Sequence, residues 1–220
     1  MKKIVITSFL VLFLFSLMAT ESEPSDVVGF VKYELTAGDY NMIAVPMEIT
    51  FACADPANPM ASDLAAEIGS SCNRLLYWNT VTSSWKTYTG ASATDFAIQP
   101  GDALMVNLNA GNDVEFYSTG SKVADVSTTF AIDYNMLMLP LNHPEITLAS
   151  ELEASIGVDV VDRIFFWDTT TSGWRTYTGA SATDFAISIG DALIIKATQV
   201  STWNETRNVN LGRKENNNKK

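Results

Sequence analysis

The chain has 220 residues, 47% of them hydrophobic, and carries a formal net charge of −11 at pH 7. An acidic protein repels the phosphate backbone, so we expect no nucleic-acid partner. The one histidine, His143, precedes Pro144 in a predicted surface turn, which leaves no convincing base for a nucleophile and too few ligands for a metal site. These features predict a protein without catalytic residues, without a bound metal and without enzymatic activity.

The first twenty residues have the layout of a cleaved secretory signal. Lys2 and Lys3 precede an apolar run over residues 4–17, and the short side chains of Ala19 and Thr20 follow it. About fourteen apolar residues are fewer than the roughly twenty that span a bilayer, so a membrane anchor is the weaker interpretation. We expect removal of residues 1–20, an extracellular or cell-surface location, and no stable membrane insertion after cleavage.

The rest of the chain contains one stretch twice. Residues 87–98 are identical, letter for letter, to residues 176–187. Three explanations of this identity stay open, namely recent duplication, gene conversion and a shared contact surface. A repeat of about ninety residues is a small domain rather than a solenoid unit of about twenty to fifty. The predicted organisation is a first β-rich domain at 21–125, a second at 126–204, and a polar, disordered tail at 205–220.

Each copy is predicted to contain short strands and one short helix. The strands of the first copy are expected at residues 27–35, 42–47, 74–78, 85–88, 102–108 and 114–117. Those of the second are expected at 163–167, 174–177, 191–197 and 200–203. The helix at 62–69 has Ser62 as its expected N-cap, and residues 150–153 form a capping box in the second copy. The fold class is mainly β, a β-rich α+β protein of two tandem sandwich- or barrel-like domains.

Both cysteines, Cys53 and Cys72, lie in the first copy and have no counterpart in the second. In a secreted chain such a pair predicts a disulfide, which closes a loop of about twenty residues and stabilises the fold by roughly 3 kcal/mol. The predicted disulfide tethers an insertion at residues 51–60 that only the first copy carries.

An aromatic hairpin recurs in both copies and offers two interpretations. Exposed indole and phenol rings form a binding platform for a sugar, whereas the same rings on the inner face of a strand pack the core. The alternation of side chains along a strand allows either. The candidate residues are Trp78, Trp85 and Tyr88 in the first copy and Trp167, Trp174 and Tyr177 in the second.

Four aspartates also recur at equivalent places, namely Asp95, Asp102, Asp184 and Asp191. A calcium loop brings several carboxylates together in an alternating pattern within about a dozen residues. That pattern is absent, so calcium is the weaker alternative and we expect no cofactor.

The chain resembles a family of exported bacterial proteins of unassigned function, which occur as accessory modules of cell-surface and secreted proteins. The resemblance rests on a Val-Val-Gly-Phe start at residues 27–30, an apolar strand ending in proline at 41–46, the Trp hairpin at 78–85 and a Gly-Asp strand at 101–106. It covers nearly all of the chain after the signal. The resemblance implies an exported β-domain protein and supplies no catalytic residues.

Two functions fit these features. The first is a secreted or cell-surface structural protein that self-associates as a filament, sheath or surface-layer subunit, with itself or other surface proteins as partners. The first strand would then add to a neighbour's sheet edge through Val27, Val28, Phe30, Val31 and Tyr33, although an ordinary first strand is the simpler interpretation. The alternative is a carbohydrate-binding or adhesion module that uses the Trp/Tyr hairpins, with glycans as partners.

Overall fold

The computed structural model describes residues 28–121 and 127–204, so the predicted signal segment, Val27 and the predicted polar tail lie outside the described residues. The first range contains β1 (Val28–Leu35), β2 (Tyr40–Ala44), α1 (Ala61–Ile68), β3 (Cys72–Asn79), β4 (Ser84–Tyr88), β5 (Ala103–Leu108) and β6 (Val114–Ser121). The second contains β7 (Ser127–Phe130), β8 (Asp133–Met138), α2 (Ala149–Ile156), β9 (Val161–Asp168), β10 (Gly173–Tyr177), β11 (Ala192–Ala197) and β12 (Ser201–Asn204). The predicted mainly β, α+β class is confirmed.

The strands form four antiparallel sheets, two in each half of the chain. In the first half, a four-stranded sheet has the order β2-β5-β3-β4, and β1 pairs with β6 in a two-stranded sheet. The second half repeats this topology with β8-β11-β9-β10 and with β7 paired to β12. No sheet contains strands from both described ranges, so we name residues 28–121 the first unit and residues 127–204 the second unit.

Each unit has its own hydrophobic core between the four-stranded sheet, the two-stranded sheet and the helix. In the second unit, Leu152 of α2 packs against Ile164 of β9 and Leu193 of β11, all fully buried. The first core is built in the same way around Leu64, Leu75 and Leu104. No helix in the described ranges is long and apolar enough to cross a membrane.

The first helix begins differently from the sequence-based prediction. Its N-cap is Met60, not Ser62, and the Met60 amide donates to Asp63 Oδ2 at 2.9 Å. The Ser62 amide donates instead to Asp95 Oδ1 at 3.0 Å. The prediction of Ser62 as the cap was wrong because a carboxylate from a later part of the chain satisfies this helix end.

The second helix also begins differently from the prediction, with its N-cap two residues earlier in the chain. Leu148 is the N-cap, and its amide donates to Glu151 Oε2 at 3.1 Å. Ser150 is inside the helix, where its amide and hydroxyl both donate to Asp184, at 3.1 and 2.6 Å. The predicted capping box between Ser150 and Glu153 is therefore replaced by one between Leu148 and Glu151.

The identical segment at 87–98 and 176–187 performs one structural task in both units. Besides supplying Asp95 to the helix start, it accepts the Ala61 amide at the Phe96 carbonyl, 2.8 Å away. The Ile98 amide then donates to the Pro59 carbonyl at 2.9 Å. The equivalent bonds of the second unit join Ala149 to Phe185 at 3.0 Å and Ile187 to Thr147 at 2.9 Å. Both copies of this segment therefore make the same hydrogen bonds to the start of the helix.

The two cysteines are free, so the predicted disulfide is wrong. The Cys53 thiol donates to the Phe51 carbonyl at 3.3 Å, within the insertion itself. Cys72 begins β3 and packs against the core of the first unit, where burial raises the pKa of its thiol to about 11. The insertion is held instead by hydrogen bonds such as that from the Ala54 amide to Asp63 Oδ1 at 3.3 Å.

His143 also departs from its predicted surface position. Only 8% of this residue is exposed, and its ring stacks on Trp203 with the centroids 5.3 Å apart. Its Nδ1 lies 2.9 Å from Glu145 Oε1. The turn after β8 folds over the second unit, and β12 supplies the indole that covers the imidazole. His143 is therefore a structural residue of the second unit.

Candidate functional site

The tryptophans of the first hairpin lie on the outer face of its sheet, away from the core of their own unit. Leu75 is fully buried in the core, and side chains alternate along β3, so Trp78 lies on the opposite face. Trp85 pairs directly with Trp78 across the strands, and their ring centroids are 5.3 Å apart in an edge-to-face arrangement. Trp85 remains 39% exposed.

The second hairpin has the same arrangement. Trp167 pairs with Trp174 across β9 and β10, with the ring centroids 5.1 Å apart, and Trp174 is 43% exposed. The tyrosines lie on the other face. Tyr177 is buried in the core and donates to Glu153 Oε2 at 2.8 Å, and Tyr88 packs against the core of the first unit. The predicted aromatic set therefore divides into outward-facing tryptophans and core tyrosines.

The outer faces of the two four-stranded sheets pack against each other. Their contact is centred on a cluster of four buried side chains, Ala44 and Ala103 from the first unit and Met138 and Ala192 from the second. The small alanine side chains allow the two sheets to approach closely. Since Ala44 matches Met138 and Ala103 matches Ala192 in the repeat, each unit uses the same positions for this contact.

The aromatic contacts at the edges of this interface are reciprocal. Trp78 of the first unit packs edge-to-face on Tyr134 of the second, with ring centroids 6.0 Å apart at 80°. Tyr40 and Trp167, the equivalent pair with the units exchanged, lie 6.1 Å apart at 78°. Matching geometry at exchanged positions is the mark of an isologous contact. The two units are therefore related by an approximate two-fold axis.

The strands of the two sheets cross at this contact. Ala103 packs with Met138, and the Trp78 amide lies 3.4 Å from Met136 Sδ. Ala103 and Trp78 lie on neighbouring strands of the first unit, whereas Met138 and Met136 lie along one strand of the second. Because the sheets cross, they separate away from the central cluster, and the two hairpins then face each other over open space.

This space is an open aromatic cleft of about 440 Å³ between the units. It is lined by Trp78, Trp85, Tyr134, Phe165, Trp174, Thr176 and Ile194. The equivalent tryptophans Trp85 and Trp174 both line it, so each unit contributes the same tryptophan to the cleft. Its walls are five aromatic rings, one hydroxyl-bearing threonine and one aliphatic side chain.

The lining carries hydrogen-bonding groups but no charged side chain. In the part of the chain that the structure describes, the indole N–H groups of Trp85 and Trp174 and the hydroxyls of Tyr134 and Thr176 have no protein partner. The lining residues include no carboxyl, imidazole or thiol group. Such a cleft offers flat apolar faces with unused donors and acceptors, and no group suited to acid–base chemistry.

Two further polar contacts join the units. The Tyr33 hydroxyl donates to the Gly190 carbonyl at 2.8 Å and accepts the Ala44 amide at 3.3 Å, so it links β1 and β2 to the second unit. Burial raises the pKa of Tyr33 well above its usual value. At the tip of the second hairpin, the Ser172 hydroxyl donates to Asp39 Oδ2 at 2.7 Å.

The four recurring aspartates have structural roles. Asp95 and Asp184 hold the helix starts, whereas Asp102 and Asp191 precede β5 and β11 and accept the amides of Gln99 and Ser188, both at 2.7 Å. Burial raises the pKa of Asp102 and of Asp191 to about 6. Within 28–121 and 127–204, no three metal-binding side chains of the His, Cys, Asp or Glu types come together.

The candidate self-association strand is β1, which pairs with β6 along its whole length from Val28 to Leu35. Phe30 is 65% exposed, and its ring lies 5.9 Å from that of Tyr117. Val31 points toward the second unit, where its methyl groups approach Gly190. Tyr33 is used at the unit interface.

The sequence interpretation missed the contribution of the second unit to the cleft, namely Tyr134, Phe165, Thr176 and Ile194. A signal for it was present, because Ile164, Phe165, Phe166 and Trp167 form a continuous apolar run rather than an alternating one. Such a run indicates a strand that is covered on both faces.

No protein-family model matches the chain, and neither a curated protein nor a solved structure matches it. The function is therefore inferred from the geometry and chemistry of the cleft.

Proposed function

We propose that this protein binds carbohydrate, without transforming it, in the aromatic cleft between its two units. The observation that carries the proposal is the pair of exposed, equivalent rings, Trp85 and Trp174, on opposite walls of one cleft. The predicted export of the chain would bring this cleft into contact with extracellular glycans. A protein of this kind acts as a secreted or surface adhesion module.

The chemistry of the lining favours a sugar over a purely apolar ligand. A pyranose ring has an apolar face of C–H groups, which stacks on an indole, and a rim of hydroxyls, which needs hydrogen-bond partners. The free indole N–H groups and the hydroxyls of Tyr134 and Thr176 supply such partners. A wholly apolar ligand would leave these groups without water or partner, at a cost of about 1–3 kcal/mol for each one buried.

The charge of the protein favours a neutral glycan. No Lys or Arg lines the cleft, and the whole chain has a formal net charge of −11. Acidic sugars would therefore approach a repulsive surface and find no cation to pair with. The absence of a carboxyl group from the lining is also the reason for proposing binding rather than hydrolysis, since glycosidases use a pair of carboxylates.

Replacing either wall residue is expected to weaken glycan binding without unfolding the protein. Trp85→Ala and Trp174→Ala each remove one stacking face, which is worth about 0.5–1.5 kcal/mol and corresponds to a loss of affinity of roughly two- to tenfold. A glycan array identifies the ligand, and isothermal titration calorimetry measures the change.

Tyr117→Ala is the matched control, because Tyr117 is an exposed aromatic residue outside the cleft. Its affinity should equal that of the unaltered protein. Circular dichroism confirms the fold of each variant. Failure of the unaltered protein to bind any neutral glycan would contradict the proposal.

A second candidate function, self-association as a structural subunit, is supported by the first two-stranded sheet. Within the described residues β1 pairs with a strand on one side only, and the aromatic pair of Phe30 and Tyr117 lies exposed on this sheet. We propose that a neighbouring copy adds to this edge if the protein polymerises. This proposal uses a surface separate from the cleft, so both functions can operate in one molecule.

Phe30→Lys is expected to suppress any polymer, because a lysine on an exposed edge strand opposes strand addition. Sedimentation velocity and electron microscopy over a range of protein concentrations measure the effect. Val81→Lys, at an exposed hairpin tip, is the control and should leave polymers intact. A protein that stays monomeric at every concentration, with or without calcium, would rule this function out.

A further inference from the structure

Two equivalent tryptophans that line the cleft from different units point to a particular class of glycan. We propose that the ligand is a neutral β-1,4-linked pyranose chain, with one ring stacked on Trp85 and a neighbouring ring stacked on Trp174. This inference rests on the proposed function and specifies the linkage of its ligand.

The two tryptophans approach a ligand from opposite sides. Trp85 lies on the outer face of the first sheet, and Trp174 lies on the outer face of the second. These faces are turned toward each other, because Ala103 and Ala192 meet in the buried cluster between them. A chain that lies in the cleft therefore has one indole on each of its two sides.

A β-1,4 linkage fits such a site. In a β-1,4-linked chain each pyranose ring is turned over relative to the one before it, so the same chemical face points alternately to the two sides of an extended ribbon. The two equivalent indoles then contact the same face of successive rings. An α-1,4-linked chain curves into a helix and does not present its rings in this way. It can therefore stack on only one of the two indoles at a time.

The polar side chains of the cleft favour one orientation of the bound glycan chain. Tyr134 and Thr176 line the cleft, whereas their counterparts Tyr40 and Thr87 do not. The hydroxyls that meet the rims of the sugar rings therefore come from the second unit. A symmetric pair of stacking faces with an asymmetric set of hydroxyls predicts two similar ring contacts and a single orientation of the reducing end.

The test is calorimetric titration of the full chain with cellotetraose, chitotetraose and maltotetraose. We expect at least one of the two β-1,4-linked ligands to bind tenfold or more tightly than maltotetraose, and the difference between cellotetraose and chitotetraose identifies the sugar. Trp85→Ala and Trp174→Ala should reduce the affinity for the preferred ligand by factors that agree within about threefold. Trp85→Tyr and Trp174→Tyr should retain most of the affinity, which separates loss of stacking from loss of folding.

Three results would overturn the inference. Equal or tighter binding of maltotetraose would reject the β-1,4 linkage while leaving a carbohydrate-binding protein. Loss of affinity on replacing only one of the two tryptophans would reject the spanning mode, again without touching the proposed function. No binding of any neutral glycan, on an array or in solution, would reject both the linkage and the proposed function.

Discussion

The protein should resist urea better at pH 5 than at pH 8. The reason is the equivalent pair of carboxyls, Asp102 and Asp191, whose pKa burial raises from an ordinary value of 3.8 to about 6. A raised pKa means that the folded protein binds the proton more tightly than the unfolded chain does. Stability from these groups is therefore fully present below the unfolded pKa, near 4, and is lost as the pH rises through 6.

The expected change in the free energy of unfolding is large for two side chains. A shift of about two pKa units corresponds to about 3 kcal/mol per group when the whole titration is spanned. Lowering the pH from 8 to 5 gains about half of this free energy for each carboxyl. Asp102 and Asp191 together should therefore raise the free energy of unfolding by about 3 kcal/mol. With a urea m-value of about 2 kcal/mol/M, the unfolding midpoint should rise by about 1–1.5 M.

Other carboxyls act in the opposite direction at lower pH. A hydrogen bond from Lys32 holds the pKa of Glu115 below its usual value, and the Thr147 amide does the same for Glu151. A group with a lowered pKa contributes stability that is lost only as the pH falls through that lower value. The stability that Glu115 and Glu151 contribute is lost below about pH 4.5. The free energy of unfolding should therefore pass through a maximum near pH 4.5–5.

Asp102→Asn with Asp191→Asn is the matched variant. An amide oxygen can still accept the Gln99 and Ser188 amides but carries no charge to desolvate. The double variant should be more stable than the unaltered protein at pH 8 and should lose the gain between pH 8 and pH 5. Chemical denaturation at both pH values measures this. An unchanged pH dependence in the double variant would show that other groups cause it.

Ala192→Glu should separate the two units. Ala192 is only 1% exposed and lies in the buried cluster between the sheets, where a carboxyl group would be surrounded by alanine and methionine side chains. Burying an unpaired charge costs several kcal/mol, more than a small contact of this kind contributes. The units should therefore move apart while each keeps its own core, and the glycan binding proposed for the cleft should be lost.

Small-angle X-ray scattering measures the expected increase in radius of gyration, and circular dichroism checks that the β content is kept. Ala93→Glu is the control, because Ala93 is exposed in the turn after β4. It should leave the dimensions and the binding unchanged. A compact Ala192→Glu protein with unaltered affinity would mean that the cleft does not depend on contact between the units.

Local structure was predictable from the sequence because its signals are local. The predicted strand at 174–177 corresponds to β10 (Gly173–Tyr177), and both helices lie where short amphipathic segments end in Gly69 and Gly157. The strand β7 (Ser127–Phe130) was missed, since its residues Ser-Thr-Thr-Phe give only one apolar position. Strand β12 buries Trp203, which covers His143.

The cleft was not predictable, because it depends on how two units meet. Alternation along β3 and β9 allowed the tryptophans to face either the core or the exterior, and both faces of these strands are apolar. What decided the outcome was a distant pair of alanines, Ala103 and Ala192, that lets two sheets approach closely. The helix caps failed for a similar reason, since Asp95 and Asp184 reach them from over thirty residues away.

The reciprocal contact between the units has the symmetry of a homodimer contained in one chain. Covalent linkage raises the effective concentration of one half around the other to about the millimolar range, so the buried cluster, the aromatic pairs and the polar contacts between the units need not form an interface as large as that of a stable dimer. In a dimer of identical chains every substitution appears on both sides of the axis. In the fused form Phe165 and Ile194, which line the cleft, have Leu76 and Met105 as their counterparts in the repeat, so equivalent positions of the two units are free to differ.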